Sequence, residues 1–210
     1  MITKEPRNVL IEVDVQNDFI SGSLAVTEGE QVVQPLNDIA TLVRSSGGDV
    51  VQTRDWHPAT TPHFDVWPVH CVADTDGAAF HPNLEIEATD ITISKGMGQT
   101  HGYSGVEGVS ETGTTLVEII QPKDQTERVR VLMGGLATDY CVKATALDLA
   151  KHFENDEQVE VVLIRDAIRA VNLQANDEAN ALKALEEAKV LAMTAGEIKE
   201  QFFAKEGFAL

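Results

Sequence analysis

Hydrophobic and polar positions along the chain follow two periods. Short runs rich in Val, Ile and Leu recur at NVLIEVDV (8–15), DVVQTRD (49–55), DITIS (90–94), RVRVLMG (128–134), VEVVLIRD (159–166) and KVLAMTAG (189–196). Their length and β-branched content predict strands. Between the first two, EQVVQPLNDIATLVRSSGG (30–48) puts Val33, Leu36, Ile39, Ala40 and Val43 on one helical face and stops at Gly47-Gly48. Further helical periods cover roughly 114–121, 138–153 and 176–188, the last with charged outer positions suited to packing on a sheet. Apolar strands joined by helices predict an α/β fold with a mostly parallel sheet covered by helices on both faces. No repeat, low-complexity tract or linker interrupts the pattern, and 210 residues suit one domain spanning 1–210.

Two segments break the rhythm, 56–89 and 96–112, both rich in Gly, Pro, His and aromatic residues. Long irregular connections in a compact domain are usually functional or disordered. Each follows a strand, so each leaves the carboxyl edge of the sheet, where open α/β folds build their sites. The stretch DWHPATTPHFDVWPVHC (55–71) holds three histidines, two tryptophans and a cysteine. Asp55 and His57 lie two apart at a strand end, so an extended backbone sends both side chains to one side. With His63 and His70 they form an imidazole and carboxylate set that suits zinc, manganese or iron better than calcium. Histidines flanking a turn at Pro58 and Pro62 account equally well for the same residues. Trp56 and Trp67 either cap the core or wall a pocket for a flat ligand.

Cys141 lies in MGGLATDYCVKATALDLA, where a strand passes through two glycines into a helix beginning near Thr138. A thiol in a first helical turn is expected to be stabilised as thiolate by the amide dipoles, and the same amides can hold an oxyanion. A small buried hydrophobe is the alternative use of such a cysteine. Asp14 sits near the end of the first strand, in EVDVQNDF, and Lys95 closes the third. In a parallel sheet all three groups meet at one carboxyl edge, joining a base, a cation and a thiol. Surface pairing of Asp14 and simple exposure of Lys95 are the competing readings.

Composition narrows the partners. With 16 basic and 34 acidic residues the formal charge is −18, which argues against nucleic acid or an anionic membrane. The start MITKEPRNVL lacks a basic region followed by an apolar run, and no stretch reaches the roughly 20 apolar residues of a membrane span, so a cytoplasmic location is expected. Two cysteines do not make a disulfide framework, and Cys71, with no helix start beside it, reads as structural. The glycines of KGMGQTHG (95–102) do not fit G-x-G-x-x-G, which sets dinucleotide binding aside. Whether the chain forms a homo-oligomer is left open.

The ordered motifs DVQNDF (14–19), RDWHP (54–58), WPVHC (67–71), GAAFHP (77–82), SKG (94–96), GYSGVEG (102–108) and GGLATDYCV (134–142) resemble the nicotinamidase/pyrazinamidase family of isochorismatase-like cysteine hydrolases. The resemblance implies a three-layer α/β/α sandwich and hydrolysis of nicotinamide to nicotinate and ammonia, a step of NAD salvage, with pyrazinamide as a second substrate. It implies a triad of Asp14, Lys95 and Cys141, an oxyanion hole at the amides of Ala137 and Cys141, and a cis peptide at Leu136–Ala137. It further implies a divalent metal, zinc first and manganese or iron next, on Asp55, His57 and His70, with His63 as a fourth ligand. Phe19 and Trp67 match positions that sandwich the pyridine ring, Tyr103 lines the same pocket, and Tyr140 stands where some members carry histidine. Another amide substrate within the superfamily, or a non-catalytic sensor of a pyridine or metal, is the competing function.

Overall fold

The computed structural model describes residues 5–98 and 101–204. The first four residues of the chain's start and 99–100 of the KGMGQTHG segment lie outside them, as does 205–210 of the single-domain reading. Six strands form one sheet: β1 (Arg7–Val13), β2 (Asp49–Asp55), β3 (Ile91–Lys95), β4 (Val129–Leu136), β5 (Val159–Arg169) and β6 (Leu191–Met193), in the order β3-β2-β1-β4-β5-β6. Every pairing is parallel. All six predicted runs contain a strand. The last predicted run is the poorest match, because Thr194 caps a short helix in a capping box with Glu197 and ends β6 after three residues.

The helices are α1 (Asn17–Ile20), α2 (Val33–Ser45), α3 (Leu116–Ile120), α4 (Lys143–His152), α5 (Asp177–Glu187) and α6 (Ala195–Ile198). One face of the sheet, through Leu10, Val50, Leu132 and Val162, buries Leu36, Ile39, Ala40 and Val43 of α2 and Ile198 of α6. The other, through Val9, Ile11, Val131 and Met133, buries residues of α3, α4 and α5. The result is a three-layer α/β/α sandwich. β1 is buried on both faces beyond its first residue, which explains why its apolar run shows no clean alternation. Gly135 has φ +122, and a Cβ there would fall 2.0 Å from the carbonyl oxygen of Val13, so only glycine lets β4 pass β1 at this point. The peptide Leu136–Ala137 is cis.

A sheet in this order has its topological switch between β1 and β4, the place where open α/β folds bind ligands. Asp14 follows β1 and Cys141 follows β4, so the switch places the base and thiol candidates side by side.

The sheet also carries a polar defect that sequence reading passed over. Glu12 of β1 is fully buried, and burial pushes its carboxyl up to about 7 from an ordinary 4.5, with Gln52 and Arg44 opposing and Asp90 and Glu85 assisting. Gln52 Nε2 donates to Glu12 Oε2 at 2.8 Å, while Glu12 Oε1 and Gln52 Oε1 have no hydrogen-bond partner among the described residues. An acid whose pKa is raised by folding contributes stability that is complete below its unfolded value and is lost as pH rises through the folded one. Here that window runs from 4.5 to about 7 and is worth about 3 kcal/mol. Glu12→Gln places an N–H opposite Gln52 Oε1 and removes the titration. Its stability relative to the parent is expected to rise by about 3 kcal/mol between pH 4 and pH 8 in urea unfolding; a pH-independent difference would contradict the assignment.

Candidate active site

At the carboxyl edge three strand ends converge on Lys95. The lysine is fully buried, and its Nζ lies 2.8 Å from Asp14 Oδ2, 2.5 Å from Asp55 Oδ1 and 3.4 Å from Cys141 Sγ. A fourth contact reaches the carbonyl of Gly102 at 3.1 Å. Burial works against the ammonium, yet the two carboxylates outweigh it and hold Lys95 well above its ordinary pKa. Burial pushes Asp14 upward, opposed by Lys95, and Thr53 Oγ1 steadies the carboxylate by donating to Oδ1 at 2.6 Å. Asp55 is different: burial also opposes its ionisation, but the Lys95 ammonium outweighs it and holds the carboxyl well below the usual range.

Cys141 sits in a π-helical turn, Thr138–Val142, that leads into α4. Both Tyr140 N and Val142 N donate to the carbonyl of Ala137 at 3.1 Å. The sequence led us to expect a thiol lowered by the helix start. The structure corrects this: burial pushes Cys141 well above its ordinary value, Lys95 opposes that, and the charges of Asp14 and Asp55 add to it. The resting thiol therefore keeps its proton and needs an adjacent base.

On the other side of Asp55 the irregular segment folds back on itself. His57 N donates to the Cys71 carbonyl at 3.0 Å and Ala73 N to the His57 carbonyl at 2.8 Å, drawing His57 and His70 together. A 3-10 turn at Pro62–Asp65, capped by Thr61, brings in His63. One ring nitrogen from each of His57, His63 and His70 lies within 4.8 Å of the others, and all three residues are buried. Asp55 Oδ2 faces the cluster, 3.6 Å from His57 Nε2 and 3.9 Å from His70 Nε2.

Carbonyl oxygens only accept, so Gly96 O at 2.9 Å from His57 Nδ1 and Pro68 O at 2.7 Å from His70 Nδ1 place the proton on Nδ1 and turn a lone pair at Nε2 inward. His57 Nε2 is buried with no hydrogen-bond partner among the described residues. Burial lowers His70 and favours its neutral form. Gly96 has φ +70, and a Cβ there would lie 2.5 Å from the His57 ring, so this glycine is a condition of the cluster. Three inward imidazoles and a carboxylate suit a divalent transition metal.

A small cavity joins the two clusters. Asp55, His63 and His70 of one cluster and Ala137 and Cys141 beside the other all line it. The walls between are aromatic. Trp67 meets Tyr140 edge-on at 4.9 Å between ring centroids, Tyr103 stands 5.5 Å from Tyr140, and Phe19 lies 5.4 Å from His70. Trp67 Nε1 donates to Tyr103 Oη at 2.9 Å, which ties the two long segments together across the cavity.

The family model described as Isochorismatase domain matches residues 8–197. The chain belongs to the isochorismatase domain family. Among curated relatives it is 40% identical over 151 residues to the nicotinamidase/pyrazinamidase of Mycobacterium tuberculosis, covering 68% of this chain and 78% of that protein. It is 31% identical to the nicotinamidase of Escherichia coli, covering 93% of this chain and 98% of that protein. Its structure matches the zinc complex of Pyrococcus horikoshii pyrazinamidase with a TM-score of 0.76 at 34% identity, over 90% of this chain and 99% of that one.

Within this isochorismatase domain the structure adds residues that the sequence did not single out. Leu24 and Val171 complete the cavity wall. Asp139, buried in the turn that carries Cys141, accepts from the amides of Val171 at 3.0 Å and Asn172 at 2.9 Å and so holds that wall in place. Gln16 is fully buried: its Oε1 accepts from Asp55 N at 2.8 Å, and its Nε2 donates to Asp55 O at 2.9 Å and Ala78 O at 2.8 Å. The one available signal was an uncharged amide placed between acids just past a strand. Gln16→Glu cannot donate to either carbonyl and adds charge beside Asp55. It is expected to weaken metal retention by about 10–100-fold with the fold intact, read by competition with a chromogenic chelator. Unchanged retention would show that Asp55 needs no such support.

Proposed function

We propose that this isochorismatase domain is a nicotinamidase that hydrolyses the carboxamide of nicotinamide, and that of pyrazinamide, through a thioester on Cys141. The observation that carries the reading is one buried lysine in contact with Asp14, Asp55 and Cys141, the last two of which line an aromatic-walled cavity together with His63 and His70 of the histidine cluster. Nicotinamidases and pyrazinamidases among the relatives support the same substrate class. A planar ring packs between Phe19 and Trp67, beside Tyr103 and Tyr140, and directs its amide toward the thiol.

Asp14 takes the proton of the Cys141 thiol, and Sγ attacks the carboxamide carbon. The amides of Ala137 and Cys141 hold the oxyanion. Asp14 then passes the proton to the departing ammonia. Water enters, Asp14 accepts its proton, and the thioester opens to the carboxylate product, returning the proton to Sγ. Lys95 compensates the negative charge that moves between Asp14 and Sγ throughout. A divalent metal, zinc by the nitrogen-rich donor set, would be held by Asp55, His57, His63 and His70 and would supply a Lewis-acid anchor for the ring nitrogen. Both cysteines are free thiols, which suits a reducing compartment such as the cytoplasm, and no helix among the described residues is long and apolar enough to cross a membrane.

The test is ammonia release from nicotinamide by zinc-loaded protein, with benzamide, which keeps the carboxamide and lacks the ring nitrogen, as comparison. Rapid release from nicotinamide with much slower release from benzamide supports the proposal. Folded, metal-loaded protein that releases ammonia from neither would sink it.

A further inference from the structure

Lys95 occupies a place that is itself laid out for a metal. Asp14, Asp55 and Cys141 each offer one ligand atom, these atoms lie within 4.8 Å of one another, and all three residues are buried. Lys95 Nζ is in contact with every one of them, at 2.8, 2.5 and 3.4 Å. Asp55 belongs to both clusters, with Oδ1 on the lysine and Oδ2 turned to His57 and His70. A carboxylate shared in this way is how two-metal sites bridge their ions. In this fold one of the two cations is covalently part of the chain.

We propose that Lys95 also acts as a built-in second cation, whose ammonium keeps a divalent metal off the Cys141 nucleophile and restricts the enzyme to one metal per chain. The physical case is charge and donor type. Two carboxylates and a thiol held out of water demand a cation, since unpaired buried charge is costly. A thiolate with two carboxylates is also a good zinc ligand set, and zinc on Sγ would consume the lone pair needed for attack on the amide. The ammonium touches both carboxylates and the sulfur at once, so the position a metal would take is already filled. The ammonium supplies the compensating charge yet forms no lasting bond to sulfur. The inference rests on the reading of the histidine cluster as the resident metal site, and the experiment separates the two.

Native protein and Lys95→Ala are stripped of metal and titrated with zinc, counting tightly bound equivalents, while the alkylation rate of the Cys141 thiol by iodoacetamide is followed on protein carrying Cys71→Ser. Native protein is expected to bind one equivalent and to keep its alkylation rate from one to ten equivalents of zinc. Lys95→Ala is expected to bind two, with the second suppressing alkylation at least tenfold, and Lys95→Ala/Cys141→Ala to return to one. A folded Lys95→Ala that binds a single equivalent overturns the proposal, as does zinc-suppressed alkylation of the native protein. If Lys95→Ala does not fold, the native alkylation series decides in the same two directions. Native protein that binds no zinc overturns the histidine-cluster reading and this inference with it.

Discussion

Cys141→Ala is expected to lower kcat for nicotinamide hydrolysis by on the order of a millionfold, because removing the nucleophile of a covalent triad costs about as much as removing the whole triad. The methyl group left behind has nothing with which to bond the amide carbon, and Lys95 and Asp14 keep the pairing they already make at 2.8 Å. The fold should survive, since Cys141 is a small residue in a turn fixed by backbone bonds from Tyr140 N and Val142 N to Ala137 O. Zinc stoichiometry should also survive, because the ring nitrogens of His57, His63 and His70 form a group of their own, which Cys141 does not share. Stopped ammonia release with retained zinc and retained nicotinate binding is the expected pattern. Residual turnover within a hundredfold of the parent would mean that water attacks the amide directly and that no thioester forms.

Asp14→Asn is expected to cost about 10³–10⁴-fold in kcat/KM, at the upper end of what general acid–base catalysis supplies. The replacement is nearly isosteric and retains an oxygen to accept from Thr53 Oγ1, now 2.6 Å from Asp14 Oδ1. What it removes is the only proton acceptor this mechanism gives Sγ. The thiol itself should move the other way. Asp14 contributes to holding Cys141 above its ordinary pKa while Lys95 opposes, so deleting the charge of Asp14 lowers the thiol. Faster alkylation of Cys141 by iodoacetamide at neutral pH, together with slower amide turnover, is a combination that general damage to the site does not produce. Parallel loss of both would show that Asp14 holds structure and does not move protons.

Much of the architecture was legible because it rests on local rules. β-branched runs at Val9, Val50, Val131 and Val162 read as strands without reference to anything distant, and the α2 stripe from Val33 to Val43 showed its buried face by period alone. The positions of Asp14, Lys95 and Cys141 as residues needing partners were legible for a related reason. A carboxylate, a lysine and a cysteine at the ends of apolar strands are locally expensive, and such exceptions point to pairing. Glu12 broke the same rule and drew no attention, because its partner Gln52 lies on the neighbouring strand, 40 residues away.

What the sequence by itself determined is therefore the set of elements, the parallel α/β class and a short list of residues whose chemistry had no local explanation. Only the tertiary structure decided which of them meet. The order β3-β2-β1-β4-β5-β6 brought Asp14, Lys95 and Cys141 to one point, and the fold-back of 56–73 made His63 a neighbour of His57 and His70. It also reversed the expected direction of the Cys141 thiol, because helix position is a local property, whereas burial and the charges of Asp14, Asp55 and Lys95 arrive from three other segments of the chain. Proximity and desolvation depend on contacts between distant residues, and a one-dimensional pattern carries little information about them.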